Sequence, residues 1–182
     1  MAVLFISETY VKNNTVIDEN VDMRLILPSI RDAQELRIHP ILGTPLYEDL
    51  ITKITASTLN ADEIILLDQY IATSMLQHTL YECSVSMLFK YRNRSVNTGG
   101  GENFNPISYE DLQFLRDDWK NKAEERDKRL INYLMDNSSL YPAYTTASDD
   151  LNPRKTAYQT SFYLGGGRGD CWINDYYYYK DQ

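Results

Sequence analysis

The residues of this 182-residue chain with the most obvious chemical capacity are two histidines and two cysteines. His78 and Cys83 stand five residues apart in a run of helical character, a base and a nucleophile of the kind a thiol enzyme needs. Five residues turn a helix through about 500°, which leaves the two side chains about 140° apart and facing different directions. His78 and Glu82 do share a helical face at i, i+4. Two ligands do not make a metal site, so a hydrogen-bonded pair on one helix is the expectation there. His39 sits in "RIHPILGTPLYEDL", where it could act as a base only with a partner acid that the local sequence does not supply.

Two further stretches invite a chemical reading. "GGGRGDC" has glycines but neither the Gly-Lys-Ser/Thr end nor the following helix of a phosphate-binding loop. Its Arg168-Gly169-Asp170 matches an adhesion tripeptide that recurs by chance, and a hinge is the expected role. "YYYY" at 176–179 could stack on sugars or bases, but a net acidic chain lacks the positive groove that nucleic-acid stacking uses. Protein contact is the expectation for it. No catalytic, cofactor-binding or metal-binding constellation emerges.

The elements around these residues read as helices. Residues 1–19 have short β-prone runs and read as an extended arm. Residues 20–37 begin the helical part, with Asn20 as N-cap, Asp22 in the first turn and Pro28 kinking or dividing the run. In the corner that follows, Pro40 ends the preceding helix and Gly43 suits a left-handed C-cap. Thr44 caps the next helix, Pro45 opens it and Glu48 falls near a capping-box position. Every unusual residue of the corner thus has a helix-boundary role, including the one before Pro40.

A short helix over 45–55 leads through "ASTLNADE" to a capping box of Asn60 and Glu63. The third helix is expected over 61–94, apolar nearly all round and therefore buried, as a central rod of about 45 Å. "SVNTGGGENFNP" reads as a loop. Ser108 and Asp111 cap a fourth helix, with Leu112, Leu115, Trp119, Ala123, Leu130 and Leu134 as its apolar stripe. The mixed charges of "RDDWKNKAEERDKR" read as its solvated face.

This is an all-α chain: an antiparallel bundle of about four helices over 20–137, with extended N-terminal and C-terminal arms over 1–19 and 138–182. Composition agrees, with 43% hydrophobic and 24% charged residues, enough for one real core. The formal net charge of −8 and pI near 4.7 argue against non-specific binding of nucleic acid or anionic membrane. No signal peptide and no apolar run of membrane-spanning length is read from the sequence, and two cysteines give no disulfide framework.

Residues 138–182 carry eight of the fifteen tyrosines with Phe162 and Trp172, but few aliphatic residues. Such a segment cannot build a core, yet a solvated linker is normally poor in aromatics. Tyr158, Phe162, Tyr163, Trp172, Tyr176, Tyr177, Tyr178 and Tyr179 are therefore the candidate partner-docking residues.

The order "ISETYVKNNTVIDENVD", "ILPSIRDAQELRIHPILGTPLYEDL", a long apolar helix, a loop and a charged helix resembles the head–tail connector proteins of tailed bacteriophages. It is most similar to the adaptors of crAss-like and other Bacteroidetes phages, over roughly residues 5–137 and most specifically over 30–50. The resemblance implies a helical adaptor assembled as a dodecameric ring in the virion neck, made in the host cytoplasm. Such a ring docks on the portal, meets the next neck or tail ring and passes genomic DNA through its lumen. It implies no catalytic residues, no cofactor and no membrane contact. A DNA-packaging or regulatory helper that binds DNA transiently is the alternative, and a small helical enzyme a third.

Overall fold

The computed structural model describes residues 3–92, 95–98 and 108–155. The fold is all-α apart from one two-stranded hairpin. The helices are α1 (Glu8–Asn14), α2 (Met23–Asp32), α3 (His39–Leu42), α4 (Thr44–Ala56), α5 (Ala61–Ile65), α6 (Ala72–Leu88), α7 (Tyr109–Asp136) and α8 (Pro142–Thr145). Wider π-helical turns, Ala33–Ile38 and Leu66–Ile71, join α2 to α3 and α5 to α6 without a break. The body is thus cut into more segments than a simple four-helix bundle.

The core forms around α6, which packs against α2 on one side and α7 on another. Ile26 and Ile30 of α2, Met75 and Leu80 of α6, and Leu130 and Leu134 of α7 are among its buried residues. The two N-caps expected for longer elements hold. Asn60 Oδ1 accepts from the Glu63 N–H at 2.7 Å while the Glu63 carboxylate accepts from the Asn60 N–H at 3.0 Å. Ser108 Oγ accepts from the Asp111 N–H at 3.1 Å as the N-cap, but the Asp111 carboxylate accepts from the Ser108 hydroxyl at 2.6 Å and not from its N–H, so the reciprocal half of the box does not form.

Several boundaries differ from the sequence reading. Residues 3–19 are not an extended arm: Ser7 caps α1 through the Tyr10 N–H, and Ile6, Val11 and Ile17 are buried in the core. The side chain of Asp22, not Asn20, caps α2. Pro28 does not divide α2, because its exposed ring sits in the second turn and removes one hydrogen bond only. His39 is helical (φ −53°, ψ −45°) although it precedes a proline. The π turn before it makes room: its His39 N–H reaches back to the Gln34 carbonyl, and the wider turn moves the preceding carbonyls away from the Pro40 ring.

The central helix ends at Leu88 rather than Arg94. The chain then pairs antiparallel with itself, Phe89–Arg92 against Ser95–Thr98. Aromatic and β-branched residues at 89, 91, 96 and 98 favour strand over a fraying helix end. Ile64 and Ile65, at the start of that helix, are 45% and 38% exposed, so it is not buried all round. Leu115 likewise faces out of the expected α7 stripe.

Residues 138–155 belong to the body. Tyr141, only 2% exposed, donates its hydroxyl hydrogen to the Asp62 carbonyl at 2.8 Å and accepts from the Tyr133 hydroxyl at 3.1 Å. Burial, then the Tyr133 hydrogen bond, push its pKa far above the ordinary tyrosine range. Tyr141→Phe removes one of the two hydrogen bonds to the Asp62 carbonyl, which keeps the Leu66 N–H, and takes the acceptor from the Tyr133 hydroxyl; it is expected to cost about 1 kcal/mol in urea unfolding. Residues 156–182, which carry all eight candidate docking rings, lie outside the described residues.

The turn after α4 holds one backbone feature that no sequence signal announces. Ser57 has φ 55° and ψ 40°, and the Thr58 N–H closes onto the Lys53 carbonyl at 2.9 Å. This is the position where glycine is normally found. Ser57→Gly is expected to raise the thermal midpoint slightly, by the equivalent of about 0.5–1 kcal/mol.

Candidate functional site

Both ends of the described chain meet at the corner over 39–44. Gly43, with φ 75° and ψ 155°, ends α3 and precedes α4. The sign of φ is the one a left-handed cap requires, but ψ is extended, so Gly43 is not the left-handed helical C-cap expected from the sequence. The Thr44 hydroxyl, expected to cap α4, does something else. Thr44 Oγ1 donates to Asp150 Oδ2 at 2.8 Å and accepts from the Leu151 N–H at 3.2 Å. α4 therefore begins without a side-chain cap.

Around that hydroxyl the segment over 148–155 lies across the corner as a strap. The Thr44 N–H donates to the Leu151 carbonyl and the Arg154 N–H to the Pro40 carbonyl, each at 2.9 Å. Pro153 covers Gly43 so closely that a Cβ there would stand 2.7 Å from the proline Cδ and Cγ. Glycine is thus required twice, by φ and by the strap.

The N-terminal segment is tied to the same place through Gln34, 2% exposed in the first π turn. Gln34 Oε1 accepts from the Phe5 N–H at 2.8 Å, while its amide donates to the Val3 carbonyl at 3.0 Å and to the Tyr47 hydroxyl at 2.9 Å. Tyr47 carries Phe5 on its edge and stacks on His39 at 4.2 Å between ring centroids. Burial raises the Tyr47 hydroxyl above its ordinary value, against the lowering effect of the Gln34 bond.

His39 Nε2 lies 3.0 Å from Thr44 Oγ1. The hydroxyl hydrogen is directed at Asp150, so the imidazole meets the oxygen as a donor. A base that must accept the hydroxyl proton would need the opposite polarity. Structurally, the ring stiffens the corner.

A second buried cluster lies between α6 and α7. Asp127, 4% exposed, accepts from Ser74 Oγ at 2.5 Å and faces His78 Nε2 at 3.1 Å through both oxygens. Arg154 of the strap stands 3.8 Å from Asp127 Oδ2. Serine, histidine and aspartate are all present, yet the carboxylate sits in the middle and each partner bonds to it alone. In a hydrolase relay the histidine occupies that middle position. The cluster joins two helices and the strap.

The expected His78–Glu82 pair does not form, because Glu82 turns to Arg37 at 2.9 Å while His78 turns inward. Cys83 and His78 are engaged separately: the Cys83 thiol donates to the Leu25 carbonyl at 3.6 Å, and burial pushes its pKa up. Among the described residues no group of three or more His, Cys, Asp and Glu side chains could hold a metal ion.

The charged side of α7 is only partly solvated. Lys122–Asp118 and Lys120–Glu124 are exposed pairs within the helix. Arg116 instead covers the Tyr81 ring at 4.3 Å, Arg126 donates to the Thr73 carbonyl at 2.6 Å, and Arg129 lies 5.2 Å from the Tyr70 ring. The sequence reading missed Asp127 within this face. Its signal was spacing, since Asp127 falls four residues after Ala123 and three before Leu130, on the buried stripe.

An all-α domain, closed at one helix corner by a strap of its own chain, is the class these features define. The chain belongs to the family described as "Family of unknown function (DUF6712)", which matches residues 38–150. The match runs from the corner to Asp150, the strap residue that holds Thr44. No curated protein and no solved structure matches the chain. Among the described residues no helix is long and apolar enough to cross a membrane.

Proposed function

We propose that the protein is a structural component of a tailed-phage virion, a head-to-tail connector that assembles as a ring beneath the portal. The observation that carries this reading is where the most specific part of the likeness falls. Residues 30–50 contain the π turn, Gln34, Gly43 and Thr44, the groups that clamp the two ends of the described chain together. Residues so used serve a rigid building block. The net charge of −8 supports a conduit that does not retain DNA, since like charge keeps phosphates off its wall. In the ring, the aromatic segment over 156–182 reaches a neighbouring copy, the portal or the next neck ring.

A DNA-binding helper is the weaker reading. It needs a basic stripe, and three arginines of α7 that could build one are engaged with Tyr81, Thr73 and Tyr70. Mixing the full chain with its portal protein tests the proposal: joint sedimentation as a ring complex, without retardation of duplex DNA at low salt, is expected. Retardation of DNA with no portal association would favour the helper.

A further inference from the structure

One apolar groove has no partner in the described residues. It lies where the 16–21 segment meets the seam of α6 and α7, with a volume of about 250 Å³. Val16, Ile17, Val21, Leu80, Met87 and Trp119 line it. Val16 is 83% exposed, an apolar side chain held over water at the rim. Cys83 closes the floor, and with Met87 it gives a polarisable surface suited to aromatic rings.

The strap fixes where the rest of the chain departs. The Arg154 N–H is held by the Pro40 carbonyl while its guanidinium reaches Asp127, which puts the departing backbone within one arginine side chain of α7. Asp127 and Trp119 are eight residues apart on that helix, about 12 Å along its axis. From Arg154 to Phe162 there are eight residues, which can span about 26 Å when extended. Residues 156–182 hold eight aromatic residues and only two large aliphatic ones, Leu164 and Ile173. They need a surface to cover rings, and the first of those rings after Tyr158 arrives within reach of the groove.

We propose that in the free chain this groove seats the chain's own aromatic segment, with Phe162 and Tyr163 as the inserting rings. Tethering decides the occupant. A short tether gives an effective concentration of order millimolar, above that of a second copy in dilute solution. The inference does not rest on the connector reading: a chain that never forms a ring would still cover its groove.

The test uses the full chain with Trp172→Phe, so that Trp119 is the sole indole. Phe162→Ser and Tyr163→Ser are then added together. The expected result is a red shift of Trp119 emission, a rise in acrylamide quenching of roughly twofold as the indole face is uncovered, and faster amide exchange over 16–21. An unchanged thermal melt shows that the body still folds, as expected for substitutions outside it. Quenching and exchange that are the same with and without the two rings would overturn the proposal. Protection that appears only as protein concentration rises would also overturn it, by assigning the groove to a second copy.

Discussion

Replacing Gly43 with valine is expected to lower the unfolding free energy by about 3 kcal/mol and to release the strap. Two costs act together. A β-branched residue held at φ 75° is strained by about 1–3 kcal/mol. Its Cβ would also stand 2.7 Å from the Pro153 ring and 2.9 Å from its nitrogen, so the strap must lift. Lifting breaks the Thr44–Leu151 and Arg154–Pro40 backbone bonds. Urea unfolding measures the first effect. Trypsin measures the second, because cleavage after Arg154, whose N–H is held by the Pro40 carbonyl, needs an open strap. Pairing Gly43→Ala with Pro153→Gly separates the terms: relief of the clash should restore part of the loss and leave the backbone strain. A valine variant as stable and as protease-resistant as the parent would show that the strap does not close the corner.

Asp127→Ala is expected to cost about 3–4 kcal/mol, as for a buried charged group whose partners are left behind. The substitution strands the Ser74 hydroxyl and the His78 ring in a region where both are buried, and removes the acceptor beside Arg154. Asp127→Asn keeps one acceptor and much of the volume, so its loss should be smaller, about 1–2 kcal/mol. The strap should also become easier to cleave in the alanine variant, through loss of Arg154's partner. A loss below about 0.5 kcal/mol, the ordinary range for a surface position, would mean that Asp127 is solvated as its charged neighbours suggest.

Those two residues mark what the sequence made legible and what it did not. Gly43 was readable because a local rule governs it: a helix ends, another begins, and only glycine takes the connecting φ without strain. Asn60 with Glu63 and Ser108 with Asp111 were readable for the same reason, since a cap is decided within four residues. The strap was not, because Thr44 and Asp150 are 106 residues apart and neither carries a mark of the other. Its consequence was a wrong role for Thr44, whose hydroxyl was assigned to a cap that α4 lacks.

Residues 3–19 went wrong differently. Their short apolar runs are too brief to show a period, and the Gln34 side chain that holds their backbone lies 29 residues downstream. Aromatic-rich chain after 137 looked unable to build a core, which holds for a segment alone. Tyr141 and Tyr144 join the existing core instead. Asp127 was hidden by its neighbours: charge composition pointed outward, while helical spacing pointed inward.

Single-particle cryo-EM of the virion neck tests the central claim most directly. The account predicts a ring of copies beneath the portal, each with the helical body described here, its strap seated over Gly43, and DNA or empty channel on the axis. Particles whose neck contains no density for this chain, with the portal followed directly by other proteins, would contradict it.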